Sequence, residues 1–343
     1  MPASLEEAKR TAVERYLTTD APGVFSALAA STAPQQNVTG VGIGPKLTGG
    51  QPSGPDCVRL YVERKVPLTA LSGENLLPTQ IAGVPTDVIE SGRFVGGAPP
   101  LTLEAMPRAA TSAPPGPVRT RIRPVQPGCS VGFQFTGSEA GVVMAGTMGA
   151  IVMKGDRRFI LSNNHVLANE NLLPIGSPIF QPGLLDGGDP AADQVAALSQ
   201  FVRLDPSNPN LVDCAIAALL DSRLASPEFL PNVGKLKQSA VSPPALHMAV
   251  EKVGRTTGFT TGKIFDVQAS VKVHYSMGIL TFDDQVLVQG DSGTFSAAGD
   301  SGSVIVDSLQ RQASALLFAG SPAFTIGNKL ANVLSALGVT LVI

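Results

Sequence analysis

The sequence predicts a mainly β protein with a small α+β segment ahead of it, and three observations carry that reading. Short apolar or β-branched runs recur at close intervals after Gly128, as the strands of a sandwich or barrel do. Gly (36) and Pro (28) are abundant, which suits many turns and short elements rather than long helices. Helical spacing is confined to one stretch near each end. With 343 residues and 43% hydrophobic content, the chain can bury one large core or two smaller ones.

Taken in order, Ser4 to Leu17 reads as a helix. Ser4 can cap it, Glu7 stands three residues later as a capping-box partner, and Leu5, Ala8, Ala12 and Tyr16 recur on one face. Strands follow at Val38 to Ile43, Cys57 to Val66 and Val84 to Ile89. Residues 1–97 are thus expected to form an α+β N-terminal domain. Residues 98–127, rich in Pro and Ala (SAPPGPVRTRIRPVQPG), are expected to be a stiff linker. Residues 128–343 form the main domain, with strands predicted at Gly141 to Met153, Phe159 to Ser162, Ala196 to Arg203, Ala215 to Leu220, Val267 to Tyr275, Val286 to Gln289 and Val304 to Asp307. A closing helix is predicted over Gly327 to Leu337, where Leu330, Val333, Leu334 and Leu337 share a face.

Charge and composition exclude several partners. The formal net charge is −2, which lacks the Lys and Arg excess that nucleic-acid binding needs. Arg119, Arg121 and Arg123 cluster inside the Pro-rich stretch and read as a solvated linker. The apolar run Leu334 to Ile343 is too short to cross a bilayer. The opening MPASLEEAKRTAVERYL is charged where a secretory signal would be apolar. Cys57, Cys129 and Cys214 are an odd number without a CxxC pair, so reduced thiols and a cytoplasmic location are expected. His247 and His274 have no metal-ligand spacing with any cysteine. No metal or other cofactor is called for, and neither nucleic acid nor membrane is an expected partner.

Three separated segments carry chemistry. In RRFILSNNHVLA, His165 directly follows an apolar strand. In NLVDCAIAAL, Asp213 opens one. In AAGDSGSVIVD, Ser301 lies between Gly-Asp and a Gly that leads into a β-branched run. A serine hydroxyl is a weak nucleophile at neutral pH and needs a base within hydrogen-bond reach. The imidazole in turn needs a carboxylate to fix its tautomer. The developing oxyanion needs backbone N–H groups, which Gly299 and Ser301 can supply. Ser292 stands in a second Gly-Asp-Ser-Gly. It reads as a β-turn, because no long β-branched run follows it, and Ser301 is the preferred nucleophile.

In the order His, Asp, Ser, these segments resemble the trypsin-like serine proteases. LSNNHVLA is similar to that family's strand-plus-histidine motif, VDCAIAAL to its aspartate strand, GDSGSVIVD to its nucleophile loop, and VGRTTGFTTGKI to the Gly-rich segment opening its second barrel. The resemblance spans residues 128–340. It implies a double six-stranded β-barrel, a protein or peptide substrate, and endopeptidase chemistry on Ser301 with His165 and Asp213. The whole chain, including NVTGVGIGPK and GVPTDVIE, resembles bacterial relatives of the plant narrow-leaf serine proteases, which brings a homo-oligomer into consideration. The chain departs from the trypsin pattern at Ser303, where that pattern has Gly then Pro. No Ile-Val-Gly-Gly start precedes the domain, so activation by a freed N-terminus beside Asp300 is not expected.

The resemblance also implies a specificity site. The residue six before the nucleophile, Phe295, would floor the primary pocket, and Phe318, Ala319 and Gly320 would form a wall that pairs with substrate backbone. An apolar floor gives a cation no partner, so small or medium apolar residues are expected before the cut. Alternatively, Phe295 fills the pocket and leaves little selectivity. Two other functions remain open on the sequence: a catalytically inactive protease fold used for binding or scaffolding, and an esterase using the same triad.

Overall fold

The computed structural model describes residues 4–18, 33–97, 101–102, 117–135, 140–229 and 233–343. Helix α1 (Leu5–Tyr16) starts where Ser4 Oγ accepts the Glu7 N–H at 3.2 Å. Its face Ala8, Ala12 and Tyr16 is buried against β1 (Val38–Thr48) and β2 (Gln51–Val62), with Val41, Val58 and Leu60. The short helix α2 (Pro34–Asn37) leads into β1. Strand β3 (Gln80–Ile81), then β4 (Val84–Glu90), which pairs parallel with β2, completes this sheet. Strand β5 (Val95–Gly96) leaves it for another part of the molecule.

The first of two larger assemblies is an eight-stranded sheet. Its strands, with two that lie apart, are β6 (Leu101–Thr102), β7 (Ser130–Phe133), β8 (Val142–Val143), β9 (Gly146–Thr147), β10 (Ala150–Lys154), β11 (Arg157–Ser162), β12 (Pro178–Phe180), β13 (Gln194–Phe201) and β14 (Ala215–Leu219). Its eighth strand is β21 (Thr340–Leu341), near the end of the chain; the sheet order is β21-β10-β11-β14-β13-β12-β7-β9, and β6 pairs with β8 separately. The single strand expected over Gly141 to Met153 is three, because the chain changes partner twice: β8 pairs with β6, β9 with β7 and β10 with β11.

The second assembly is a closed ring. Its strands are β15 (Ala249–Gly254), β16 (Gly258–Tyr275), β17 (Gly278–Gly290), β18 (Val304–Asp307), β19 (Gln312–Gly320) and β20 (Thr325–Lys329). They follow the order β15-β18-β19-β20-β17-β16, and pairing of β15 with β16 closes it. Val250, Ile264, Val286, Val288 and Ile305 fill part of its interior. The mainly β class is thus observed, as one closed six-stranded ring and one open eight-stranded sheet. The final helix α4 (Leu330–Leu337) begins at Leu330 rather than Gly327, because Gly327 and Asn328 still pair with β17 and β19 in β20. It precedes β21 (Thr340–Leu341), which returns to β10.

Residues 33–90 keep a hydrophobic cluster of their own, yet their sheet is continuous with the ring: Gly40 pairs with Val271 and Val41 with Ser270. Side chains reinforce the join. Tyr61 Oη donates to Asp266 Oδ2 at 2.7 Å, the Arg59 guanidinium donates to Phe265 O at 3.0 Å, and Lys272 Nζ donates to Tyr16 O at 2.5 Å and Gln35 O at 2.9 Å. Much of the expected linker, residues 103–116, lies outside the described residues. Its last part is packed rather than solvated. Val118 and Val125 are buried in the core of the eight-stranded sheet, and Arg121 Nε donates to Asp193 at 2.6 Å. Among the described residues no helix is long and apolar enough to cross a membrane.

Candidate active site

His165 lies in a single helical turn, α3 (Asn164–Leu167), directly after β11. The sequence dictates this placement: the apolar FILS run ends in the sheet, and the polar Asn-Asn pair turns the chain. Asp213 precedes β14, the neighbour of β11, so the two side chains meet across adjacent strands. His165 Nδ1 and Asp213 Oδ2 are 2.5 Å apart. A carboxylate accepts, so Nδ1 carries a proton, and in the neutral imidazole that leaves the lone pair on Nε2. Both side chains are buried, and among the described residues Nε2 has no hydrogen-bond partner.

Asp213 is fully buried, which is costly unless its oxygens are satisfied. Oδ1 accepts the N–H of Asn164 at 2.7 Å and of His165 at 3.3 Å. Oδ2 also accepts the Tyr275 hydroxyl at 2.7 Å. Burial and the adjacent carboxylate push the Tyr275 phenol well above its ordinary range, so it stays a neutral donor. The backbone is braced too: Asp213 N–H donates to Asn328 Oδ1 at 2.9 Å, and Asn163 Nδ2 donates to Asp213 O at 2.8 Å. Tyr275 and Asn328 were not among the sequence candidates. Each sits in a strand of the other assembly, and nothing local marks its long-range partner.

Ser301 comes from the ring, in the loop before β18. Its carbonyl accepts Thr147 N–H at 2.8 Å, and Ser162 Oγ donates to Thr147 O at 2.7 Å. Strand β9 therefore ties the serine loop to β11, whose end carries His165. Ser301 Oγ itself donates to Phe318 O at 3.4 Å. It makes no hydrogen bond with His165 Nε2: the structure joins histidine and aspartate directly, and ties the serine loop to the end of the strand that precedes His165.

The loop is shaped by Asp300. Its carboxylate is fully buried and accepts the N–H groups of Thr256 (2.7 Å), Thr257 (3.1 Å) and Ala297 (3.0 Å) and the Thr257 hydroxyl (2.6 Å). Lys252 Nζ, also fully buried, lies 3.4 Å from it. Burial lowers the Lys252 ammonium, and Asp300 opposes that shift. An internal cation thus stands beside Asp300. Gly299 adopts φ +98°, the left-handed region that favours glycine, and an added Cβ would collide with Thr256 Oγ1. Among the described residues, the N–H groups of Gly299 and Ser301 are left without hydrogen-bond partners.

Phe295 is 2% exposed, inside the ring with Val250, Ile264 and Ile305. Lys252 Nζ lies 5.8 Å from the centre of its ring. Phe318 is buried in a separate apolar cluster, its ring against Phe282. Ala319 and Gly320 pair with β5. The Ser292 loop is exposed. Cys57, Cys129 and Cys214 are buried and unpaired, and burial pushes the Cys129 thiol up to about 12. Among the described residues no three His, Cys, Asp or Glu side chains gather as a metal site.

A family model described as the Nal1 C-terminal domain matches residues 231–319. No curated protein matches the chain. Several solved structures are similar to part of it. Thermobifida fusca Protease A aligns with 16% identity and a TM-score of 0.45, over 64% of this chain and 99% of that one. An alpha-lytic protease homolog, N4, aligns with 20% identity and a TM-score of 0.45, again over 64% and 99%. The Cellulomonas bogoriensis chymotrypsin aligns with 16% identity and a TM-score of 0.43, over 64% and 98%.

Proposed function

We propose that the protein is a serine endopeptidase that hydrolyses peptide bonds through an acyl-enzyme on Ser301. The observation that carries this reading is the buried His165–Asp213 pair at 2.5 Å, whose Nε2 has no partner among the described residues. In this reading Ser301 Oγ rotates from Phe318 O to Nε2 and gives up its proton as it bonds to the substrate carbonyl carbon. The N–H groups of Gly299 and Ser301 stabilise the oxyanion. His165 returns the proton to the leaving amine as the C–N bond breaks, and a water molecule then repeats the sequence to release the acid. Asp213 holds the imidazole in the right tautomer throughout, and Tyr275 holds Asp213. The chemistry calls for no cofactor, and the reading extends to a peptide substrate preferring small apolar residues before the cut.

A second reading has its own observation: Ser301 Oγ rests on Phe318 O instead of His165. On that reading the fold binds or scaffolds without catalysis. Incubation with an alkyl fluorophosphonate, followed by peptide mapping, separates the two. The endopeptidase reading requires label on Ser301 that vanishes in H165A, together with cleavage of unfolded protein substrates. An unlabelled Ser301 in folded protein overturns it. Label and ester hydrolysis without peptide cleavage would assign an esterase instead.

A further inference from the structure

Strand β19 has two edges near Ser301. One edge pairs with β20 along most of its length. The other pairs with β18 through Val304 and Leu316, and Gly302 N–H still reaches Leu317 O at 2.8 Å. Beyond Phe318 this edge would be open, and an open edge is a template for an added strand. Here it is taken by β5, antiparallel, with Ala319 opposite Gly96 and Gly320 opposite Val95. Phe94 anchors the segment: its side chain is fully buried, and its carbonyl accepts His274 N–H at 3.0 Å.

The register carries the segment into the candidate active site. The paired stretch ends at Gly96 opposite Ala319; Gly97 follows it directly, and Phe318, the residue before Ala319, is the one whose carbonyl receives Ser301 Oγ. A Cβ at Gly97 would sit 3.2 Å from His165 Cδ2 and 3.7 Å from Nε2. The Gly97 backbone thus lies beside the Nε2 edge of the imidazole, which the endopeptidase reading assigns to the reacting group. The fit depends on small residues, since a Cβ at Gly96 would stand 2.5 Å from the Tyr275 ring.

We propose that Val95–Gly97 are a built-in occupant of the substrate strand, so that a peptide reaches Ser301 only by displacing the chain's own segment from β19. This rests on the endopeptidase reading for its consequence, while the exchange of one strand for another does not depend on catalysis. A segment seated about nine-tenths of the time weakens apparent peptide binding about tenfold.

The test uses the full chain carrying S301A, which removes hydrolysis, with and without G96V. The added valine would collide with Tyr275 and expel the segment. Fluorescence anisotropy then measures binding of a fluorescein-labelled Ala-Ala-Val-Gly-Gly-Ala peptide. The affinity is expected to rise at least about tenfold in the G96V chain. Equal affinity in a double variant that unfolds at the same urea midpoint as S301A overturns the proposal. If G96V does not fold, G96A imposes the same clash with a smaller side chain and is judged by the same criterion. Fluorophosphonate labelling of the G96V chain with Ser301 intact keeps the two ideas apart. Absent label with improved peptide binding sinks the endopeptidase reading alone, and present label with unchanged binding sinks the occupant.

Discussion

Asp213 and Asp300 are both fully buried carboxylates, one on each side of the site, and each collects several donors. Asp213 receives two backbone N–H groups, a phenol and the imidazole of His165. Asp300 receives three backbone N–H groups and a hydroxyl, with the Lys252 ammonium beside it. The first spends its geometry on aiming a side chain. The second spends it on folding the loop that carries Ser301. The same device, a buried acid saturated with donors, thus orients the His165 imidazole in one place and shapes backbone in the other. The difference predicts that damage to Asp213 falls on turnover, and damage around Asp300 on folding and turnover together.

The largest expected effect is on the first. D213N keeps the volume but reverses the hydrogen-bonding character at Nδ1, so kcat for a peptide substrate should fall roughly 10⁴-fold. S301A and H165A should fall at least as far, and a double variant no further, because residues acting as a unit are not additive. If D213N kept more than a tenth of wild-type kcat while folded, Asp213 would not be orienting the base.

K252M tests the second carboxylate. Removing one partner of a buried pair strands the other charge, at a cost of about 3–5 kcal/mol. Urea denaturation should record that loss, and residual folded protein should show reduced labelling of Ser301. Unchanged stability would mean that the backbone donors alone satisfy Asp300. A smaller effect belongs to Y275F. It removes a hydrogen bond to a buried carboxylate, worth about 1.5–3 kcal/mol, and should lower kcat with KM unaltered. A change confined to KM would place Tyr275 with the substrate instead.

The smallest effect reports on the join between the N-terminal strands and the ring. Burial lowers the Lys272 ammonium to about 8. Below pH 8 it is protonated in the folded and unfolded chain alike. Between about 8 and its unfolded value near 10.4, the unfolded chain binds more protons, so stability rises with pH. The slope is at most about 1.4 kcal/mol per pH unit for one group. The urea midpoint followed from pH 8 to 10 should rise less steeply in K272M. An identical slope would assign the effect to other groups.

Much of this arrangement was legible in the sequence because it is local. Helix α1 carries its own cap and apolar face, and β18 occupies Val304–Asp307 as its β-branched run predicts. His165 and Asp213 each flank an apolar strand, and those strands are neighbours. What escaped reading is non-local. Tyr275 and Asn328 reach Asp213 from the other assembly. Lys252 looks like one polar residue in a strand, and its burial beside Asp300 depends on ring closure. Joining β1 to β16 needs pairing across more than two hundred residues, which no turn or periodicity encodes. Gly96 and Gly97 stand at the very end of the expected N-terminal domain with no motif to mark them, whereas their missing side chains let the backbone lie against Tyr275 and His165.

The central claim is that Ser301 is the nucleophile and His165 its base. It is tested most directly by fluorophosphonate labelling of the full chain, read by peptide mapping, in wild type, S301A, S292A and H165A. Label is expected on Ser301 in wild type and in S292A, and none in S301A or H165A. Label on Ser292, or label on Ser301 that persists undiminished in folded H165A, would contradict it.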